Sequence, residues 1–598
     1  MMIMIINMMQ TLPALFAALV LVSAEKAAAP TAKTRNGTYA GLYLPAWEQE
    51  VFLGMPYARP PVGELRYRRP QPIDEAFAGV RPATAYGRSC MQYGTELSIS
   101  EDCLTINVVR PARRHNGQDD DGGKEEEEEE EEDEDEEEEE EDEKLPVLVW
   151  IYGGGLSSGS TADPQYNLSG IVRVSQEAGQ PILGVSMNYR LGQWGFLQTP
   201  QILSEGSSNA GLLDQRLALH WIQENIAAFG GDPRRVVVWG ESAGAQSIAY
   251  HLFAYEGRDD GIFQGAILES GGPTGAQVES LTWYAGAVEN LTRSVGCGGV
   301  DVHDQLSCLR AVDSETLFAA QPSVVWNPLL DGDFLTAYPS QLMPDGKYVK
   351  VPLLTGANTD EGFAISGPDE LETTEQIFDA VFSWRGGYAL TPPTVRKLLE
   401  LYPDDPCHEP PHAITNCSRN PARGAMWRRA AAIGSDLVMI AGRRRMAELY
   451  ATSSDHSVYS YRFGQRPWNG DVWDGVKHFD NVAFSFQNIS GLLGPSPAYD
   501  SHARLARAIG EAYVGFVNHF DPNLVGEAGL GLELGLGLGL GDGNNKGDRL
   551  LPQWPAYDVQ KPRNMVLNAT LSWVEDDDWR REGIAYIGRP DVAKELLS

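Results

Sequence analysis

The sequence predicts an α/β fold, a parallel or mixed sheet with helices on both faces. Three observations carry that reading. Short apolar, strand-like runs alternate along the chain with segments of helical spacing. One run, residues 236–239 (VVVW), leads without a gap into Gly240-Glu241-Ser242-Ala243-Gly244, and the chain reads as helix from Ala243 onward. Another, residues 147–152 (VLVWIY), leads directly into Gly153-Gly154-Gly155.

Taken in order, residues 52–67 are too rich in proline for a helix and predict an extended crossing of the surface. Residues 100–108 alternate apolar with polar and predict a strand. After residues 147–152 the three glycines let the backbone approach a ligand with its amides turned inward, or else make a plain tight turn. Residues 181–189 predict the next strand. Residues 209–222 carry the 3–4 apolar spacing of a helix that feeds the 236–239 strand. There the pattern G-x-S-x-G describes a turn so tight that small residues are needed two places either side of Ser242. The turn lifts the hydroxyl above the sheet and aims a helix N-terminus at it. Further strands are predicted over 263–269, 351–356 and 458–463, and a long basic-faced helix over 426–450. The 351–356 strand ends at Asn358-Thr359-Asp360-Glu361-Gly362, a polar turn where open α/β sheets build sites. A loop, Gly475-Val476-Lys477-His478-Phe479-Asp480, precedes apolar residues 482–486.

With 598 residues, 42% of them hydrophobic, the chain can bury a large core. Its net charge of −36 is mostly local, because residues 125–143 are 19 consecutive acidic side chains. Such a run repels itself and buries nothing, which predicts a solvated loop; a calcium- or partner-binding segment is the alternative. The rest is moderately acidic, and no nucleic-acid partner is expected. Residues 1–24 hold an apolar centre followed by Val22-Ser23-Ala24, which predicts a secretory signal peptide; an N-terminal membrane anchor is the other reading. No other apolar run is long enough to span a bilayer, so stable membrane insertion is not expected. Sequons at Asn36, Asn167, Asn290, Asn416, Asn488 and Asn568 are candidate glycosylation sites. Six cysteines, an even number, suit an oxidising compartment.

The blocks FLGMPYARPPVGELRY, SEDCLTINV, LPVLVWIYGGG, NYRLGQWGFL, NAGLLDQRLALHWIQENIAAFGGDP, VVVWGESAGAQS, VPLLTGANTDEG and LPQWPAYD together resemble the type-B carboxylesterase/lipase family, the cholinesterase-like branch of the α/β-hydrolases. The match runs from about Asn36 to Asn568. It implies an α/β-hydrolase fold, a large central mixed sheet flanked by helices, as a single domain over 25–598 with inserts at 117–144 and 526–547. It further implies a catalytic triad of Ser242, Glu361 and His478, and an oxyanion hole from the amides of Gly154, Gly155 and Ala243. Asp360 is the rival acid, and His456, His502 and His519 are the rival bases. Disulfides Cys90–Cys103 and Cys297–Cys308 and an Arg66–Glu101 ion pair follow from the family pattern, and Cys407–Cys417 is the pair left over. Neither metal nor organic cofactor is implied, and the expected partner is a small-molecule or lipid ester.

Twelve residues separate Cys90 from Cys103, and none is tryptophan. Cholinesterases of the family hold choline on a tryptophan of this loop, and its fungal lipases make the loop a long amphipathic lid. The expected activity is therefore a secreted carboxylesterase; a lipase or sterol esterase, or a non-catalytic adhesion protein, are the alternatives. Leu156, where the family usually has phenylalanine, is expected to widen the pocket.

Overall fold

The computed structural model describes residues 29–113, 144–273, 277–362, 370–383, 390–412, 414, 417–420, 422–467, 470–488, 499–525 and 550–596. The predicted leader (1–24), the acidic insert except Lys144, the Gly/Leu-rich insert (526–547) and Asn416 lie outside the described residues.

The centre is an eleven-stranded sheet. In chain order its strands are β1 (Leu42–Leu44), β2 (Gln49–Pro56), β3 (Thr105–Pro111), β4 (Leu145–Ile151), β5 (Leu183–Met187), β6 (Gly231–Glu241), β7 (Gly265–Glu269), β8 (Leu353–Asn358), β9 (Val458–Phe463), β10 (Arg563–Leu567) and β11 (Trp573–Asp576). Across the sheet the order is β11-β10-β9-β8-β7-β6-β4-β5-β3-β2-β1. The middle, from β10 to β5, is parallel. Both margins are antiparallel, β11 on β10 at one side and β1 to β3 beside β5 at the other. Every residue of β5, β7 and β8 is buried, as strands covered on both faces must be.

Two helices show how the faces are covered. In β6, Trp239 lies against Tyr513 of the helix Asp500–His519, with ring centroids 6.0 Å apart. Its neighbour Gly240 lies beneath Gly244 and Ala245 of the helix Ala243–Gly257. Successive residues of a strand point to opposite faces, so these helices lie on opposite sides of the sheet. From β4 the chain moves to β5 on one side and then returns to β6 on the other. The carboxyl ends of β4 and β6 therefore flank a point where the direction of winding reverses, the place at which such sheets hold ligands.

Two expectations are corrected. The strand predicted over 100–108 begins at Thr105, because Cys103 is tied to Cys90 and Ile99–Ser100 pairs instead with Ser89–Cys90 in a separate ladder. The helix predicted over 426–450 is two α-helices, α1 (Trp427–Ser435) and α2 (Ala441–Ser453), joined by a π-helical turn, Asp436–Ile440. Four of its five arginines are buried. Arg428 donates to the carbonyls of Glu409, Pro410, Ile414 and Ser418, and Arg443 pairs with buried Asp577 at 2.9 Å through Nη2. Acceptors supplied by remote loops let these charges be buried, and helical periodicity cannot reveal them. No helix among the described residues is long and apolar enough to cross a membrane.

Candidate active site

Ser242 has φ 56° and ψ −124°, a backbone conformation that costs a non-glycine residue about 1–3 kcal/mol. Its neighbours impose it. A Cβ on Gly244 would lie 2.0 Å from the Ile151 carbonyl oxygen, and one on Gly240 would lie 2.7 Å from the Gly244 carbonyl carbon. Only glycines let the helix start this close to β4 and β6. Ser242 N–H donates to the Glu269 carbonyl at 3.0 Å, which fixes the turn to β7.

Two later loops bring the imidazole and carboxylate. His478 Nε2 is 2.8 Å from Ser242 Oγ, and His478 Nδ1 is 2.6 Å from Glu361 Oε2. Glu361 is buried; its other oxygen, Oε1, accepts from Ser270 Oγ at 2.5 Å and from Asn358 N at 2.7 Å. Asn358 also reaches the histidine loop, donating through Nδ2 to the Lys477 carbonyl at 2.7 Å. Ser270 escaped the sequence reading, and Asn358, named in the polar turn, was given no role there. The signal for Ser270 was its place at the end of β7, whose Glu269 stands in register with Gly356 of β8.

The rival residues go elsewhere. Asp360 accepts from Val476 N at 2.8 Å and from His412 N at 3.3 Å, so it fastens the loop that carries His478 rather than the imidazole itself. Burial raises Asp360 to about 6. His502 meets Gln465 at 3.0 Å, His519 meets Gln180 at 2.8 Å, and the backbone of His456 turns on Ser454.

Glu241 completes the electrostatics. It is fully buried, and neither of its oxygens accepts a hydrogen bond among the described residues; Oε1 lies 3.3 Å from His478 Nε2. Burial raises Glu241 to about 8. Burial by itself pulls His478 down, but the Glu241 and Glu361 carboxylates outweigh it and raise the imidazole to about 9. The two titrations are linked: while Glu241 holds its proton it exerts no such pull, and Glu361 alone favours the imidazolium.

After β4 the chain stays in left-handed conformations, with φ 103° at Gly154, 61° at Gly155 and 56° at Leu156. Gly154 and Gly155 are exposed, whereas Ala243 is buried at the first position of its helix. The amides of these three residues find no acceptor among the described residues, so they are free to bind an oxyanion.

Disulfide bonds join Cys90 to Cys103, Cys297 to Cys308 and Cys407 to Cys417. Arg66 meets Glu101 with two hydrogen bonds, 2.6 and 2.8 Å, in a buried pair. Of the sequons, Asn167 and Asn290 are exposed, while Asn36 and Asn568 donate their side-chain amides to backbone carbonyls.

The sheet order and the serine turn define an α/β-hydrolase. Residues 28–577 match the model of the Carboxylesterase family, and the chain belongs to that family. It is a carboxylic ester hydrolase. The chain is 31% identical to Lipase 4 of Diutina rugosa over 93% of its own length and 95% of that protein. It is 32% identical to Secreted lipase 1 of Botryotinia fuckeliana over 83% of its length and 86% of that protein. Among solved structures it is similar to Aspergillus niger EstA, with a TM-score of 0.76 and 26% identity over 96% of this chain and 99% of that one. A PNB esterase has a TM-score of 0.69 and 27% identity over 93% of this chain and 99% of that one.

Proposed function

We propose that the chain is a secreted serine carboxylesterase with Ser242 as nucleophile, His478 as general base and Glu361 as the acid that orients it. One observation carries the reading: the continuous line of hydrogen bonds from Ser242 Oγ through both His478 nitrogens to Glu361, at 2.8 and 2.6 Å. Glu361 holds the proton on Nδ1, which leaves Nε2 as the acceptor for the serine proton. Oγ attacks the ester carbonyl, and charge develops on its oxygen. The free amides of Gly154, Gly155 and Ala243 stabilise that charge, each donor being worth roughly 10²–10³ in rate. The imidazolium then protonates the leaving alcohol, and water, activated by the same imidazole, releases the acid. Secretion is supported by the three disulfides and by relatives named as secreted.

The fungal lipase relatives favour a second reading, a lipase acting on aggregated esters. The Cys90–Cys103 loop argues against it. None of its residues is helical; Gln92 is buried, and the Tyr93 ring packs on Phe318 with centroids 4.1 Å apart. A segment this short and this well anchored lacks the span of an amphipathic lid.

Hydrolysis of a p-nitrophenyl ester series, acetate to palmitate, by the secreted protein and by Ser242→Ala tests both readings. Soluble short esters cleaved by wild type and spared by the variant are expected. A rate that jumps only above the solubility limit of long esters would establish the lipase, and an active Ser242→Ala would remove the nucleophile.

A further inference from the structure

We infer that Gln92 is a positioning residue for the oxyanion loop, acting from the disulfide loop through Gly159; the inference rests on the oxyanion role proposed for Gly154 and Gly155. The loop that begins at Gly153 is bonded mainly within itself: Ser157 Oγ donates to the Gly155 carbonyl at 3.1 Å and Ser158 Oγ to the Gly154 carbonyl at 3.2 Å. The amides of Ser157 and Ser158 both return to the Gly154 carbonyl at 3.1 Å, and Gly192 N donates to the Leu156 carbonyl at 2.8 Å. These bonds close the turn on itself, and its two consecutive left-handed glycines, Gly154 and Gly155, turn their peptide planes at little cost, so its far end must be held.

Gly159 is that end. At φ 123° it adopts a backbone suited to glycine, and a Cβ there would lie 2.3 Å from the Tyr152 ring and 2.8 Å from the Gly153 carbonyl oxygen. Gly159 is thus packed directly on the start of the oxyanion loop. One side chain holds both of its backbone groups. Gln92 Oε1 accepts from Gly159 N at 2.8 Å, and Gln92 Nε2 donates to the Gly159 carbonyl at 2.8 Å. The same Nε2 donates to the Cys90 carbonyl at 3.1 Å, and Gln92 is only 4% exposed. The adjacent Ser160 Oγ accepts from Ser89 Oγ at 2.8 Å. The base of the Cys90–Cys103 loop therefore grips the end of the oxyanion loop with a paired amide contact, the Gln92 oxygen on Gly159 N and its NH₂ on the Gly159 carbonyl. Gln92 bonds Gly159 and Cys90 rather than Ser242, His478 or Glu361, so its effect is on where the amides of Gly154 and Gly155 point.

The test compares wild type with Gln92→Met, which keeps the volume and loses both bonds, and Gln92→Glu, which keeps an acceptor for Gly159 N but has no donor for its carbonyl. kcat and KM on p-nitrophenyl butyrate are read beside the Ki of an alkyl trifluoromethyl ketone, which adds to a serine as a hemiketal oxyanion. Gln92→Met is expected to lower kcat about tenfold, with KM within about twofold and Ki raised by the same factor as kcat/KM falls. A smaller loss is expected in Gln92→Glu. Unchanged kcat and Ki in folded Gln92→Met, or a change confined to KM, overturns the role of Gln92 while a wild type inhibited by the ketone leaves the oxyanion reading standing. A wild type that hydrolyses the ester yet ignores the ketone overturns that reading itself. Hydrogen exchange on the wild type supplies a check free of any variant: protection of the Gly159 amide is expected, and rapid exchange there overturns the clamp.

Discussion

Replacing Glu361 by glutamine separates this acid from its neighbour Asp360, and the structure fixes how the new amide must sit. Oε1 of Glu361 receives two donors, Ser270 Oγ at 2.5 Å and Asn358 N at 2.7 Å. In the Glu361→Gln variant the amide oxygen has to take that place, since an NH₂ there would face the Asn358 N–H and leave it buried and unpaired, at about 1–3 kcal/mol. The NH₂ is then forced onto His478 Nδ1, where Glu361 Oε2 stood at 2.6 Å. A donor at Nδ1 moves the ring proton to Nε2, and Nε2 can no longer accept from Ser242. Restoring the reactive tautomer means turning the amide over at that cost of about 1–3 kcal/mol, and loss of the charge opposite the imidazolium adds about 1.5–3 kcal/mol. Together these raise the barrier by roughly 2.5–6 kcal/mol, a fall of about 10²–10⁴ in kcat. Asp360→Asn loses one acceptor, at Val476 N or His412 N, and touches no imidazole nitrogen; it is expected to stay within about tenfold of wild type. Steady-state kinetics on p-nitrophenyl butyrate at a pH above the rising limb decide the matter. A Glu361→Gln variant within tenfold of wild type, beside an inactive Asp360→Asn, would refute the assignment.

Three further outcomes are expected. His478 must be neutral to accept a proton, so kcat/KM rises with pH through its pKa; ionised Glu241, 3.3 Å away, pushes that limb upward, and Glu241→Gln should move it to lower pH in a pH–rate profile. An unmoved or raised limb would show that Glu241 does not act on the imidazole. Gly244→Ala places a Cβ 2.0 Å from a backbone carbonyl; thermal unfolding should show a loss of about 1–3 kcal/mol or more, with activity falling alongside, and a variant as stable as wild type would contradict the turn geometry. Arg66→Met strands the Glu101 carboxylate and also the Leu309, Arg310 and Val312 carbonyls that Arg66 Nη1 serves; it should cost about 3–5 kcal/mol by denaturant unfolding, Arg66→Met/Glu101→Leu should regain only the part due to Glu101, and a double variant less stable than Arg66→Met would deny that the pair acts as a unit.

What the sequence made legible was what depends on neighbours in the chain. The β-branched run before Ser242, the glycines at 240 and 244 and the helical spacing over 209–222 each specify local geometry, and the structure has a strand, a turn and a helix at those places. The strand expected over 100–108 started late because a bond from Cys103 to distant Cys90 overrides alternation. The basic face predicted over 426–450 is largely buried because its acceptors come from loops many residues away. Ser270 and Gln92, and the role of Asn358 within the polar turn, were invisible for the same reason. Each is an ordinary polar residue locally, and its meaning lies in a partner that only the sheet order brings near.

That division also explains how the serine turn persists. Its strained backbone is enforced locally by two glycines, but the imidazole and the carboxylate arrive on loops separated from it by more than a hundred residues. Loops so far apart in sequence lose alignment unless buried bonds tie them together. Here Asn358 and Asp360, on either side of Thr359, both bond the 475–477 loop, while Ser270 joins the end of β7 to Glu361. The acid turn is therefore the piece on which the other loops are assembled. Polar residues next to Glu361 hold the relative positions of the groups, while Glu361 itself meets the imidazole.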